Sequence, residues 1–373
     1  MSSGDSLTEL TATLEVEELG TGRAGPTVDL PDDVAAVNRE FAARGWSDGL
    51  PIVPPTEDRV AAMLAGTPRD PLEVIGILPP RRGEATVHAI AVNAVMAGCV
   101  PEHMPVLIAA VEAVAHPEFN LSGVNATTHP VSQFLLVSGP IAAELGIHAG
   151  SGCFGPGFAA NATLGRALRL IQLAVAGAWP GRGDRSTQAT PAKIAFCAAE
   201  NLEESPWAPF HTTRGFAPDQ NAVTVFGTEG PHNIQDHGSN TALGIMLTIA
   251  GSMSQAGSNN ILSRGSPVLA FGPEHAATVA AEGWSREDVQ RYIFENARYP
   301  LTELSDELFQ VIQEHTEQGV PVPFFERDAL APIADGPEHI HVIVAGGPGK
   351  HSAWLPTFGN MTRPVTVAVV PVR

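Results

Sequence analysis

The chain has 373 residues, of which 44% are hydrophobic and 16% charged, so it can bury a large core in one or two domains. Its formal net charge of −19 argues against a nucleic-acid partner and against an anionic membrane surface, because both need clustered Lys and Arg. Neither a signal peptide nor an apolar run of membrane-spanning length is recognisable, and three cysteines suit reduced thiols better than disulfides, so we expect a cytoplasmic protein.

The first part of the chain predicts a tail and an extension. Residues 1–30 are polar and acidic, which is typical of a flexible tail, and residues 31–84 form an N-terminal extension. Asp32 and Asp33 are placed to cap a helix over residues 34–44, which we expect to end at the following glycine.

The rest of the extension is rich in turns. Residues 46–55 carry repeated Pro and Gly and predict an extended path, and residues 72–78 predict a strand. Asp48 on the Pro-fixed stretch is either structural or part of a lid over a site.

Beyond residue 84 the apolar pattern alternates between helical and strand periods. This alternation predicts an α/β fold. The expected helices cover residues 85–98, 104–115, 141–145 and 159–178, and the expected strands cover residues 133–138, 193–198, 222–226 and 339–344.

Similar short segments recur in the same order and predict an internal duplication. The first α/β repeat would cover residues 85–227 and the second residues 228–373, with the site in the crevice between the halves at the carboxyl ends of the strands. The matching segments are 120–125 with 259–264, 134–140 with 268–273, 160–162 with 295–297, 207–209 with 354–356, and 223–225 with 365–367.

A glycine-rich loop follows the predicted strand 339–344. Gly346, Gly347 and Gly349 let backbone N–H groups approach a ligand, and Lys350 adds a positive charge, so the loop is suited to a carboxylate or phosphate. The spacing is neither that of a P-loop nor that of a dinucleotide fingerprint. The alternative is a plain strand-to-helix turn.

The corresponding loop of the first repeat is acidic. Glu200 directly follows the strand and is the best candidate for a general base, with Asn201 beside it as a substrate-binding residue. Glu203 and Glu204 are expected to be solvated. Arg214 either holds a substrate carboxylate or lies on the surface.

Histidines cluster after the strand 222–226. His232 and His237, together with His351 of the glycine-rich loop, are candidates for proton transfer. His232, Asp236 and His237 could instead bind a divalent metal, with His351 or His148 completing the set, although the spacing is not a standard one. Otherwise the cofactor is not predicted.

Cys153 stands in the glycine-rich segment 150–157, ahead of a predicted helix. A thiol at a helix N-terminus has a lowered pKa, so Cys153 is a candidate nucleophile, the alternative being a buried filler. Cys99 is expected in the core, whereas Cys197 fits either role.

Several segments together resemble a bacterial family associated with UGSC-type thiol or selenol proteins. They are DGLPIVPPT (48–56), NAVMAGC (93–99), ANATLGR (160–166), FCAAEN (196–201) and GGPGKHS (346–352). The Cys-Gly-Ser-Cys element of that domain is absent, so the resemblance implies that a redox thiol pair would come from a partner chain.

Three functions follow as expectations. The first is a lyase- or hydrolase-type enzyme that cleaves or hydrates a carbon–heteroatom bond of a small polar or anionic substrate by acid–base chemistry. The second is a metal-dependent enzyme. The third is a non-catalytic partner subunit of a thiol or selenol redox protein, and a homo-oligomer is compatible with each.

Overall fold

A computed structural model describes residues 28–30, 33–317 and 326–370, with no side chains described for 315–317. The predicted tail over residues 1–30 lies almost entirely outside the described residues, as does Asp32. Within the described part, helices and strands alternate and the fold is α/β, as predicted.

The N-terminal extension holds two helices and a hairpin. Helix α1 (Val34–Arg44) is capped by Asp33, whose carboxylate accepts from the Ala35 N–H, and ends at Gly45 with a positive φ of 68°. Next come α2 (Glu57–Leu64), β1 (Val74–Leu78) and β2 (Gly83–Thr86). The predicted helix over residues 85–98 therefore begins two residues later, after β2.

The remaining elements follow in chain order. The first run contains α3 (Val87–Ala97), α4 (Met104–Ala115), α5 (Leu121–Ala126), β3 (Ser132–Ser138), α6 (Pro140–Glu144), α7 (Ala159–Ala174), β4 (Cys197–Ala199), β5 (Ala222–Thr228) and β6 (His232–Gln235). The second run contains α8 (Ala242–Met253), α9 (Asn259–Ser263), β7 (Val268–Phe271), α10 (Pro273–Ala281), α11 (Arg286–Asn296), β8 (Arg298–Pro300), α12 (Asp306–Glu317), β9 (Leu330–Pro332), β10 (His341–Val344), β11 (His351–Leu355) and β12 (Val365–Ala368).

Short 3₁₀ helices complete the described secondary structure. They are Pro101–His103, Pro117–Phe119, Pro191–Lys193, Phe210–Arg214, Leu301–Glu303, Pro337–His339 and Gly359–Met361.

Two four-stranded sheets have the same arrangement. The first has the order β12-β5-β3-β4 and the second the order β6-β11-β7-β10. In each sheet one pair is parallel, β3 with β4 or β7 with β10, and the other pairs are antiparallel. The parallel pairs are joined through helices, α6 and α7 in one case and α10, α11 and α12 in the other.

The edge strands cross between the sheets. Strand β6 follows β5 of the first sheet but pairs with β11 of the second, and β12 follows β11 but pairs with β5. The predicted second repeat thus supplies the last strand of the first sheet. Each sheet can be completed only when both parts of the chain are folded.

The predicted match of residues 223–225 with 365–367 is wrong in one respect. These segments belong to β5 and β12, which are hydrogen-bonded neighbours with Val225 opposite Val365, and so they are not equivalent strands. Strands β3 and β7 do occupy the same place in their sheets. Two further matches are wrong. Residues 160–162 open α7, whereas residues 295–297 lie at the end of α11. Residues 207–209 lie in a loop, whereas residues 354 and 355 belong to β11. Internal duplication stays a prediction that rests on the remaining matches.

The sheets pack face to face. Phe134 and Leu136 of β3 belong to one apolar cluster with Val268 of β7 and Ile343 of β10, whereas Leu135 belongs to a cluster with the helices on the outer side. Because side chains alternate along a strand, this division places one sheet against the other and the helices outside.

The Pro-rich loop after α1 is held by an ion pair. Asp48 receives two hydrogen bonds from Arg166 of α7, at 2.7 Å from Nε and 2.8 Å from the terminal nitrogen. Arg166 also donates to the Pro51 carbonyl at 2.9 Å. Asp48 therefore anchors the extension to α7, which favours the structural role. No helix of the described residues is long and apolar enough to cross a membrane.

We expect Asp48→Asn to destabilise the fold by about 3 kcal/mol, because it breaks a largely buried pair from one side. Urea unfolding measures the change. The matched control is Glu40→Gln, whose pair with Arg44 lies on the surface of α1 and whose loss should cost no more than about 0.5 kcal/mol. Equal losses in the two variants would contradict the anchoring role.

A cavity at the strand ends

The two turns that were predicted to correspond in the two repeats lie in direct contact. The turn after β4 begins at Glu200, and the turn after β10 runs through the glycine-rich segment. The Asn201 backbone N–H donates to the Val344 carbonyl at 2.7 Å, and its side-chain amide donates to the Gly346 carbonyl at 2.9 Å. Asn201 therefore joins the two turns and has a structural role in addition to the predicted one.

A third segment, residues 148–153, closes against these turns. Asn161 of α7 is buried and holds it: its amide oxygen accepts from the His148 N–H at 2.8 Å, and its amide nitrogen donates to the carbonyls of His148 and Cys153. A side chain at Gly347 would collide with the Ser151 hydroxyl. The close approach of the two loops thus requires glycine there.

A cavity of about 700 Å³ opens where these segments meet. Its wall also includes Gly139 and Pro273, which follow β3 and β7, so it lies at the carboxyl ends of both parallel pairs. Its ionisable lining residues are Glu200, Glu203, Glu204, Glu274 and His148. Among the described lining residues none is Lys or Arg, so the cavity is acidic.

Glu200 is the buried member of this set. Its carboxylate accepts from the Phe210 N–H at 2.6 Å and lies 3.3 Å from a terminal nitrogen of Arg286. Burial raises the pKa of the Glu200 carboxyl to about 7, outweighing the Phe210 N–H and the Arg286 charge, which both lower it. Near neutral pH this carboxyl can both give and take a proton.

Arg286 was not predicted from the sequence. It is the first residue of α11, whose sequence is polar and looks like a solvent-exposed helix. The structure buries its side chain, which also donates to the Ala208 carbonyl at 2.8 Å. Ser285 and Asp288 form a capping box that fixes the start of α11, and this motif was the only sequence signal for its position.

His148 lines the cavity, whereas the sequence suggested it only as a possible additional metal ligand. Its ring stacks on Phe158 with centroids 3.6 Å apart, and its Nε2 lies 3.0 Å from the Ser151 carbonyl oxygen. Since that oxygen can only accept, Nε2 carries the proton and Nδ1 is left as a proton acceptor.

The structure contradicts the prediction that Cys153 is an activated nucleophile. Helix α7 begins only at Ala159, so its N-terminus does not act on the thiol, and burial raises the pKa of Cys153 to about 11. Burial also raises the pKa of Cys99 to about 12 and that of Cys197 still further. Burial therefore disfavours the thiolate form of all three cysteines.

Lys350 and Arg214 lie elsewhere. The Lys350 ammonium donates to the Asn240 side chain at 3.0 Å and to the Ser239 carbonyl at 3.2 Å, and Lys350 does not line the cavity. Gly346 and Gly349 do not line it either, although Gly347 does. Arg214 donates to the Pro364 carbonyl and to the Thr366 hydroxyl, at the start of the edge strand β12. The predicted anion-binding set is therefore not assembled in the cavity, where Lys350 and Arg214 supply no positive charge.

One reason lies in the connection after β10. The glycine-rich loop leads into strand β11 and not into a helix, so it offers no helix N-terminus for an anion. The strand-to-helix alternative is wrong for the same reason.

The histidines after β5 form a separate group. His232 is exposed on β6, whereas His237 and His351 face each other with their Nε2 atoms 3.1 Å apart. Asp236 is used locally: its carboxylate accepts from the Ser239 N–H at 2.9 Å and from the Thr248 hydroxyl at 2.7 Å. The predicted set of His232, Asp236 and His237 is therefore not assembled around a metal position, and none of these histidines lines the cavity.

Comparisons of the chain with protein-family models, with curated proteins and with solved structures gave no match. The resemblance to UGSC-associated proteins stays a prediction.

We expect the stability of the protein to depend on Glu200 between about pH 4.5 and pH 7. The folded state holds the Glu200 proton more tightly than the unfolded chain, so its contribution is present at acidic pH and is lost as the pH rises through about 7. The wild-type free energy of unfolding should fall relative to that of Glu200→Gln between about pH 5 and about pH 8.

Urea unfolding at the two pH values measures this difference. Glu282→Gln, an exposed change outside the cavity, is the control and should follow the wild type. A difference between wild type and Glu200→Gln that is independent of pH would contradict the raised pKa.

We expect the three thiols of the folded protein to react with a disulfide reagent at neutral pH more than about tenfold slower than in the urea-unfolded chain, because burial disfavours their thiolates. Thiol release followed by absorbance measures the rates, and Cys153→Ser assigns that thiol. A Cys153 that reacts at its unfolded-state rate would restore the nucleophile hypothesis.

Proposed function

We propose that the chain is an enzyme that binds a small polar organic molecule in the acidic cavity and that Glu200 transfers the proton. The observation that carries the proposal is that Glu200, whose buried carboxyl has a pKa of about 7, is one of the residues that line a cavity of about 700 Å³. Perturbed carboxyl groups in a cleft are typical of catalytic acids and bases.

The reaction class that needs least beyond these residues is acid–base cleavage or hydration of a carbon–heteroatom bond. In cleavage, Glu200 would take a proton from the substrate while the leaving heteroatom receives one. In hydration, Glu200 would take the proton from the attacking water. His148, with Nδ1 as an acceptor, supplies a second group for the other proton transfer.

The charge of the lining favours a neutral or cationic substrate over an anion. Four glutamates line the cavity, and no described Lys or Arg accompanies them there. An anion would meet repulsion from the ionised carboxylates, while an amine or a hydroxyl group would find acceptors. We therefore propose a polar substrate with hydrogen-bond donor groups, in place of the anionic substrate that Lys350 had suggested.

Three polar side chains hold the wall of this cavity in place. Asn161 holds residues 148–153, Asn201 joins the two turns, and Arg286 holds Glu200. Each of these polar side chains is bonded to backbone or to a charged partner, so the wall is preorganised, as a catalytic site requires.

We expect small amines, amides or polyols that bind the cavity to raise the melting temperature of the wild type, since a ligand that prefers the folded state stabilises it. Ala277→Trp should abolish this shift, because Ala277 is an exposed residue of α10 in the cavity wall. Ala281→Trp, exposed on the same helix outside the wall, is the matched control. A shift that persists in Ala277→Trp would place the ligand elsewhere.

For a ligand from this screen that is turned over, Glu200→Gln should lower kcat by at least about 100-fold while the thermal shift is retained, because the amide keeps the shape and loses the proton transfer. Glu282→Gln should keep wild-type kcat. Unchanged kcat in Glu200→Gln would remove Glu200 from the reaction.

A further inference from the structure

Two histidine rings are in contact outside the cavity. His237 follows β6 and His351 begins β11, and their Nε2 atoms are 3.1 Å apart with the ring planes nearly perpendicular at 88°. The ring centroids are 4.9 Å apart, which is less than two rings arranged end to end along the N–N line would give. At least one ring is therefore inclined to the line that joins the two nitrogens, and the contact is bent to one side of that line.

The partner of His351 determines which nitrogen is free. Its Nδ1 lies 2.8 Å from the side-chain oxygen of Asn233, on the neighbouring strand β6. Since that oxygen accepts, Nδ1 carries the proton and Nε2 of His351 is an unprotonated donor of electrons. A hydrogen bond from the second ring nitrogen to a carbonyl-type oxygen is the usual support of a metal-binding histidine.

We propose that His237 and His351 bind a divalent transition metal of the zinc, nickel or copper class. With metal–nitrogen distances of about 2.0–2.1 Å, a separation of 3.1 Å between the nitrogens gives an angle at the metal of roughly 100°, between the octahedral and tetrahedral values. Metal binding then requires only that His237 carry its proton on Nδ1.

The remaining coordination positions belong to water or to a small ligand. Among the described residues no group of three or more His, Cys, Asp or Glu side chains is arranged to hold a metal, so two imidazoles are the protein's contribution. Imidazole suits zinc, copper and nickel, whereas calcium and magnesium prefer oxygen ligands. Both rings are exposed, so a hydrated ion has access.

Neighbouring charges are compatible with this site. The ammonium of Lys350 is engaged by backbone carbonyls and by Asn240, and the carboxylate of Asp236 lies in the segment that carries His237. The formal charge of the whole chain is −19, which favours the approach of cations.

This site and the cavity are independent. Neither His237 nor His351 lines the cavity, and the metal proposal uses neither Glu200 nor His148. Metal binding can therefore fail without any consequence for the proposed function, and the reverse is equally true.

The test is calorimetric titration of Zn²⁺ into the full chain after chelator treatment, at neutral pH. We expect one site per chain whose affinity falls by at least about tenfold in His237→Ala and in His351→Ala, with Asn233→Ala weakened by about tenfold through the loss of its supporting hydrogen bond. His232→Ala, exposed on the same strand as Asn233, is the matched control and should bind like the wild type.

Electron paramagnetic resonance of the Cu²⁺ form gives a second readout that does not depend on affinity. We expect nitrogen hyperfine structure from two imidazoles in the wild type and from one in either histidine variant. Wild-type Zn²⁺ affinity in His237→Ala, an equal loss in His232→Ala, or a Cu²⁺ spectrum that His351→Ala leaves unchanged would each overturn the proposal.

Discussion

The apolar layer between the two sheets is the contact on which the other features depend. Phe134, Leu136 and Phe226 of one sheet are in the same buried cluster as Val268 and Leu355 of the other. Because the outer faces of these sheets are covered by helices, the central strands are buried on both sides, and all seven residues of β3 are buried. Unpaired polar groups are costly in such strands, so polar chemistry is confined to the strand ends.

The crossing of β6 and β12 adds a second constraint. Each edge strand belongs by sequence to one part of the chain and by hydrogen bonding to the other sheet, so neither sheet is complete without the other. This fixes how the strand ends of the two sheets face each other. The contact of Asn201 with Val344 and Gly346 follows from that fixed placement. A wall built from both sheets can thus be as rigid as the core itself.

Local patterns in the sequence predicted the elements well where a period or a cap was strong. Helix α4 has the predicted bounds, and Asp33 and Gly45 end α1 as expected. The prediction for the glycine-rich loop after β10 was wrong because glycines indicate a turn but not whether a helix or a strand follows it. Pairing of β12 with β5 also lies beyond local patterns, because the partners are far apart in the chain.

The sequence predicted those residues of the candidate site that lie in the turns just beyond strands. Glu200 fits that rule, and the structure buries it beside the cavity. The predictions for Lys350 and Arg214 were wrong because their long side chains extend away from the cavity. Lys350 donates to Asn240, and Arg214 donates to the Pro364 carbonyl. A buried Glu–Arg pair contributes little net stability, since both charges lose water. A purely structural pair would be served by full ionisation, yet burial holds the Glu200 pKa at about 7. A carboxyl with that pKa is what the proposed proton transfer requires.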